Sequence, residues 1–124
     1  PTSLVDRTFN DLLKYRNDAF SNAQYTFCDT MAGNGKFLLN VLNRKISSGI
    51  DKKTALETIY GVELDQKNVE ECRFNLCQND PVLKSIVERN IVCADALQYH
   101  YRFDGSDPYK SVNELDFDNL FSIE

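Results

Sequence analysis

Three acidic residues and two glycines could carry chemistry in this chain, and each acid directly follows a short apolar run. The acids are Asp29, Glu63 and Asp95, and the first is followed by Gly33 and Gly35 at the start of a helical pattern. Glycine has no Cβ, so its backbone approaches a ligand closely and adopts positive φ at little cost. This spacing predicts a site that holds a nucleotide-like small molecule.

The elements that must position these residues follow from hydrophobic periodicity. It predicts helices over 4–15, 35–47, 66–77 and 82–88, a short helical turn over 52–57, and strands over 24–28, 58–63 and 91–94. We predict Asp65 as the N-cap of the helix that it precedes. Strands that alternate with helices predict a single α/β domain over 1–124 with a parallel sheet. Ligands of such sheets bind at the carboxyl ends of the strands, where the acids fall.

The end of the sequence is less informative. Beyond Asp104 it is polar, and its last apolar residues fit either a fourth strand or a short helix. They are Leu115, Phe117, Leu120, Phe121 and Ile123.

Composition excludes several classes of protein. A formal net charge of −5 argues against a free-standing nucleic-acid binder, although it leaves room for a local basic patch or a basic partner chain. No apolar run approaches the roughly 18 residues that span a bilayer. The start, Pro1 to Asp6, has neither the basic nor the apolar region of a secretory signal. We therefore expect a cytoplasmic protein without a membrane partner.

The four cysteines predict no metal site. None forms a C-x-x-C pair, and His100 is the single histidine in the sequence. Cys28 and Cys93 lie in apolar runs predicted as strands, where a free thiol acts as a small hydrophobe. We expect buried, reduced thiols in an intracellular compartment.

Two phosphate-binding patterns fail at the glycine turn. A P-loop requires glycine where Thr30 stands and a hydroxyl where Phe37 stands. A dinucleotide fingerprint requires a third glycine where Leu38 stands, and leucine there should hold the helix away from the strand. Glu63 also follows the loop at more than the roughly 20 residues typical of that fingerprint.

A third pattern, an acid followed by three residues and Gly-x-Gly, fits in full. The segment from Asp29 to Phe37 resembles motif I of the class I S-adenosylmethionine (SAM)-dependent methyltransferases. Within that class it is most similar to the adenine-N6 DNA methyltransferases of the restriction–modification type. Residues 59–65 resemble motif II and residues 91–97 resemble motif III, so the resemblance covers the chain to about Phe103. It implies a truncated Rossmann-like methyltransferase fold with three or four mainly parallel strands in the order 3-2-1-4.

The resemblance also implies a cofactor site for SAM, which S-adenosylhomocysteine would share. Glu63 would accept hydrogen bonds from the ribose hydroxyls, Asp95 would bind the adenine amino group, and Leu64 and Leu97 would enclose the ring. The implied cofactor-binding residues are Asp29, Met31, Gly33, Gly35, Phe37, Glu63, Leu64, Asp95, Ala96 and Leu97. Simpler interpretations stay open, because Asp95 could be a helix cap and the glycines an ordinary strand-to-helix turn.

No catalytic residue is assigned. The resemblance would require an Asn/Asp/Ser-Pro-Pro-Tyr/Phe motif, and the nearest segment, Asp107-Pro108-Tyr109, lacks the second proline. Three interpretations remain: part of a methyltransferase that reaches DNA through a partner chain, a SAM-binding module without transfer activity, or an interaction scaffold without cofactor. An unpaired sheet edge would favour self-association or a different partner chain.

Overall fold

The computed structural model describes residues 4–110, in which helices and strands alternate. The helices are α1 (Leu4–Tyr15), α2 (Lys36–Ser47), α3 (Lys52–Glu57), α4 (Gln66–Cys77) and α5 (Pro81–Asn90). The strands are β1 (Phe27–Asp29), β2 (Ile59–Glu63) and β3 (Ile91–Cys93). The predicted α/β class is confirmed, whereas the apolar residues considered for a fourth strand lie outside the described range. Within residues 4–110, no helix is both long and apolar enough to cross a membrane.

The described strands form a parallel sheet in the order β1-β2-β3, with β2 in the centre. Asp29 pairs with Gly61, so Glu63 lies two residues beyond the end of β1. Glu63 pairs in turn with Cys93, and Asp95 lies two residues beyond that. The acids therefore lie in steps of about 6–7 Å along the strand direction at one edge of the sheet, which we call the carboxyl edge.

The two faces of the sheet are covered differently. Ile59 and Ile91 belong to the main core with the buried faces of the helices. Val62 belongs to a second cluster with Ala94 and Tyr99. Because neighbouring strand residues point to opposite faces, the helices cover one face and the segment after β3 covers part of the other.

Aspartates begin three of the helices. Asp51, Asp65 and Asp80 each accept a hydrogen bond from a backbone N–H in the first turn of α3, α4 and α5 respectively. Such caps satisfy N–H groups that have no partner within the helix. Asp65 is therefore the N-cap that the sequence predicts.

The first strand is shorter than predicted, since Gln24 and Tyr25 lie in a turn. The Asn22 side chain accepts a hydrogen bond from Gln24 N (2.9 Å), and the Tyr25 carbonyl accepts one from the buried Lys45 ammonium (2.7 Å). The prediction that Cys28 is buried is wrong, because this thiol is exposed. It lies on a strand that pairs only with β2 among the described residues. Cys93 is half-buried.

Leu38, predicted to hold α2 away from the strand, is accommodated by the sheet. Leu38 is fully buried, and β2 has a glycine opposite it. A Cβ on Gly61 would lie 2.9 Å from Leu38 Cδ1 and 3.0 Å from Ala32 Cβ. In a dinucleotide-binding turn, a glycine on the helix leaves this space. Here Gly61, on the neighbouring strand β2, leaves it instead.

Candidate functional site at the carboxyl edge

The turn after β1 is fixed by hydrogen bonds to its own acid and to β2. Asp29 Oδ1 accepts from Met31 N (3.0 Å), and Ala32 N donates to the Val62 carbonyl (3.0 Å). Gly33 and Gly35 both adopt left-handed backbone conformations, with φ of +55° and +88°. Glycine is required for this path because a Cβ disfavours that region.

The two glycines have different surroundings. A Cβ on Gly35 would lie 2.7 Å from Cys72 Sγ, so the turn packs directly on α4. A Cβ on Gly33 would have no heavy atom within 4 Å. Gly35 is therefore a packing glycine, whereas Gly33 leaves open space in which a ligand can approach the backbone.

Glu63 connects the ends of β1 and β2. Its Oε1 accepts from Gly33 N (3.0 Å) and its Oε2 accepts from Asp65 N (2.8 Å). An ionised carboxylate has about four lone-pair sites, so each oxygen can still accept one further hydrogen bond. Two remaining acceptors on one carboxylate match the two hydroxyls of a ribose.

Asp95 lies in a compact turn after β3. Its Oδ1 accepts from Leu97 N (2.9 Å), and its own N–H donates to Tyr109 Oη (2.9 Å). Gln98 N and Tyr99 N both donate to the Asp95 carbonyl. The carboxylate therefore caps its own turn through Oδ1, whereas the helix that the simpler interpretation required does not follow, since residues 96–98 form a turn.

The apolar candidates divide into two groups. Met31, Leu64 and Leu97 each follow a different strand and are 83%, 69% and 95% exposed. Phe37 instead packs on Phe9 of α1, with ring centroids 5.2 Å apart. Large exposed apolar side chains at a strand edge are consistent with contact to a ligand, whereas Phe37 is partly buried and packs against the main core.

Ala96, the remaining candidate, packs against the second cluster, and its carbonyl accepts from Tyr101 Oη (2.7 Å). The described part of the edge thus gathers two glycines, three acids and three exposed apolar side chains.

Cys72, beneath Gly35, is not a reactive group. Burial raises the pKa of its thiol to about 12, and the nearby Asp29 carboxylate adds to this rise. At neutral pH the side chain is a protonated thiol, which is a poor nucleophile. Its role is to fill the space under the glycine turn.

Arg102 organises a loop that sequence reasoning missed. Its Nη2 donates to the Asp107 carbonyl (2.9 Å) and its Nε donates to Ser106 Oγ (3.3 Å). His100 N donates to the Pro108 carbonyl, which brings the two ends of the loop together. The loop carries Tyr109 to the carboxyl edge, and only the distant resemblance of residues 107–109 to a catalytic motif hinted at this.

The aromatic residues of this loop are mainly packing residues. Phe103 lies against Tyr60 (centroids 4.7 Å apart) and against the buried Tyr99 (5.2 Å). Tyr101 and Phe103 have φ of +55° and +51°, an uncommon conformation for bulky residues. The surrounding contacts must therefore hold the loop in this shape.

A hollow of about 210 Å³ between α4 and α5 is separate from this edge. It is lined by Phe74, Cys77 and Val87 with several charged side chains. Its volume is below the ~300 Å³ at which small-molecule sites begin, whereas two shallower hollows, one on α4 and one beside Tyr25, have about 420 and 470 Å³. We assign the candidate site to the strand ends because of the residues gathered there, not because of a cavity volume.

Residues 4–110 contain no cluster of His, Cys, Asp and Glu side chains able to hold a metal ion. The described fold and edge define an α/β protein with a glycine turn and acids at three strand ends. Comparison with protein-family models, curated proteins and solved structures found no match for the chain.

Proposed function

We propose that this chain binds SAM at the carboxyl edge, as the cofactor-binding part of a class I methyltransferase of the adenine-N6 DNA type. The observation that carries the proposal is the Glu63 carboxylate, which is fixed by two backbone N–H groups and keeps an acceptor on each oxygen. The exposed Leu64 and Leu97 side chains, on the turns after β2 and β3, would contact the adenine ring.

Charge supports a cationic ligand over a phosphorylated one. Asp29, Glu63 and Asp95 all lie at this edge, and opposite charges attract most strongly where water is partly excluded. SAM carries a sulfonium and an ammonium group. Asp29 would face the amino-acid end of this ligand.

The proposal includes the finer fold expectation of a fourth strand in the order 3-2-1-4. Among the described residues β1 pairs only with β2, so its other edge is the position for that strand or for a strand from a partner chain.

A second candidate is a SAM-binding module that transfers no methyl group. The observation that favours it is the setting of residues 107–109. The Asp107 carboxylate accepts from Tyr109 N (2.9 Å) and the Tyr109 hydroxyl accepts from Asp95 N (2.9 Å), so contacts within the chain hold both side chains in place. A catalytic motif of this type would use the polar side chain and the aromatic ring for the target base.

Isothermal titration with SAM and S-adenosylhomocysteine tests the binding proposal. Glu63→Ala should weaken binding by about 1.5–3 kcal/mol, the usual contribution of hydrogen bonds to a charged group. Glu57→Ala, which removes an exposed carboxylate at the end of α3, is the matched control and should leave the affinity unchanged. Absence of binding at millimolar ligand would refute the proposal and favour the scaffold interpretation.

Incubation with DNA and methyl-labelled SAM separates the two candidates. Label on DNA would show that the chain transfers the methyl group. Binding without transfer would favour the module, or a methyltransferase that requires a partner chain.

A further inference from the structure

A hollow of about 200 Å³ lies beside β3, and we call it the β3 hollow. It is bounded by β3, by α4 and α5, and by the loop that Arg102 organises. Its charged lining residues are Arg73, Glu88 and Arg89. Bases therefore outnumber acids at this hollow, whereas acids outnumber bases in the whole chain, whose net charge is −5.

Neutral acceptors hold the two arginines in place. Arg73 Nε and Nη2 donate to the Ile91 carbonyl (3.0 and 2.6 Å), and Nη2 also donates to the Glu88 carbonyl (3.3 Å). Arg89 Nε donates to the side-chain oxygen of the buried Asn90 (3.2 Å). Within residues 4–110, Nη1 and Nη2 of Arg89 have no hydrogen-bond partner, so both remain available to a ligand.

Arginines elsewhere in the chain are paired with acids. Arg16 donates to Asp18 at 3.1 Å, and Arg44 donates to Asp6 at 3.0 Å. Neither arginine of the β3 hollow forms an ion pair with a carboxylate in the described part of the chain. Two guanidinium groups without a carboxylate partner at one hollow are suited to an anion.

The acids near the hollow do not neutralise these arginines. Glu88 lines the hollow, but its carboxylate forms no ion pair among the described residues. The Asp104 carboxylate is bound inside the loop, where it accepts from Ser106 N (2.9 Å) and lies 3.9 Å from Arg102 Nε. The hollow therefore keeps an excess of positive charge that a bound anion can compensate.

We propose that the β3 hollow binds a phosphate group. Each guanidinium presents paired N–H donors, and a phosphate has enough oxygens to accept from two of them. A volume of about 200 Å³ is below the ~300 Å³ at which sites for whole small molecules begin. The rest of the ligand therefore lies outside on the protein surface, as it does for a backbone phosphate of a polynucleotide. This site depends on neither SAM nor the carboxyl edge, so it goes beyond the proposed function.

The experiment measures binding of a short labelled DNA duplex to the whole chain by fluorescence anisotropy at several salt concentrations. Wild type should bind at low salt regardless of the DNA sequence, and inorganic phosphate should shift the Nε–H signals of Arg73 and Arg89 in NMR spectra. Arg89→Ala should weaken duplex binding about tenfold. It should also lower the slope of log affinity against log salt by about one.

The control variants separate charge at the hollow from general effects. Arg7→Ala removes an exposed arginine on α1 and should leave affinity and slope nearly unchanged. Glu88→Gln removes the carboxylate that lines the hollow and should strengthen duplex binding about twofold or more. A purely structural role for these neighbouring residues gives no reason for changes of opposite sign.

Arg89→Lys is the second variant, in case Arg89→Ala does not fold. Lysine keeps the positive charge but lacks the planar pair of donors. We therefore expect weaker duplex binding than in wild type with an unchanged salt slope.

Equal affinities of wild type, Arg89→Ala and Glu88→Gln for the duplex would overturn the inference, and so would arginine signals that inorganic phosphate leaves unshifted. If inorganic phosphate shifts these signals but the duplex does not, the phosphate site stands and a polynucleotide as its source is refuted. Titration with SAM keeps the two proposals apart. Arg89→Ala should bind SAM as wild type does, and a chain that binds phosphate but no SAM would lose only the proposed function.

Discussion

Gly35→Ala tests whether the glycine turn depends on direct packing against α4. The new Cβ would lie 2.7 Å from Cys72 Sγ and 3.2 Å from Cys72 Cα, at a φ of +88°. The left-handed conformation costs a residue with a Cβ about 1–2 kcal/mol. Overpacking a filled site costs about 1–3 kcal/mol. Together they predict a loss of roughly 2–5 kcal/mol in the free energy of unfolding.

Gly33→Ala is the matched control in the same turn. Its φ is +55°, but its Cβ would meet no heavy atom within 4 Å. It should therefore lose only the conformational part, about 1–2 kcal/mol. The difference between the two variants isolates the contact with Cys72, and should be about 1–3 kcal/mol.

Urea unfolding followed by circular dichroism measures both losses at one pH. Cys72→Ala in the Gly35→Ala background removes the nearest atom but leaves the Cys72 backbone, so we expect partial recovery relative to the sum of the single losses. Equal losses in the free energy of unfolding for Gly33→Ala and Gly35→Ala would refute the packing argument. It would also be refuted if the losses of Gly35→Ala and Cys72→Ala simply added in the double variant.

Three further changes have defined outcomes. Gly61→Ala should lower the free energy of unfolding by about 1–3 kcal/mol, because its Cβ would lie 2.9 Å from Leu38 Cδ1. If urea unfolding shows a smaller loss when the same change is made in a Leu38→Ala background, the contact is confirmed. Tyr109→Phe removes the acceptor of Asp95 N and should lower stability by about 0.5–1.5 kcal/mol, with faster exchange of the Asp95 amide. The pKa of Cys72 is raised from 9.0 to about 12 in the folded chain, so the unfolded chain loses this proton first. The contribution of this thiol to the free energy of unfolding is complete below pH 9 and falls above pH 9 by up to about 1.4 kcal/mol per pH unit. If the free energy of unfolding of Cys72→Ala declined equally steeply above pH 9, the reasoning would be contradicted.

The sequence predicted the elements well because their signals are local. The bounds of α1, α3 and α4 are confirmed as predicted, because apolar spacing marks the inner faces of α1 and α4 and an aspartate caps the start of α3 and of α4. α5 is longer than the predicted 82–88, because Pro81 fits the first helical position and Asn90 continues the helix as far as β3.

The misses depend on contacts between distant residues. The predicted conflict at Leu38 disappears because Gly61, on another strand, makes room for it. The bond between Glu63 and Gly33 joins positions that were each predicted for the site but not as partners of one another. Tyr109 reaches Asp95 only through the loop around Arg102, and no periodicity encodes that path.

Gly61 changes how Leu38 bears on the ligand class. A missing third glycine excludes close packing of helix and strand only if the strand has a side chain opposite it, and Gly61 has none. Leu38 therefore does not by itself distinguish this turn from a dinucleotide-binding one. The stronger argument against a phosphorylated ligand is charge, because an acid lies at the end of β1, at the end of β2 and two residues beyond β3. Replacing that charge, rather than restoring a third glycine, is consequently the change that should alter which ligands the carboxyl edge accepts.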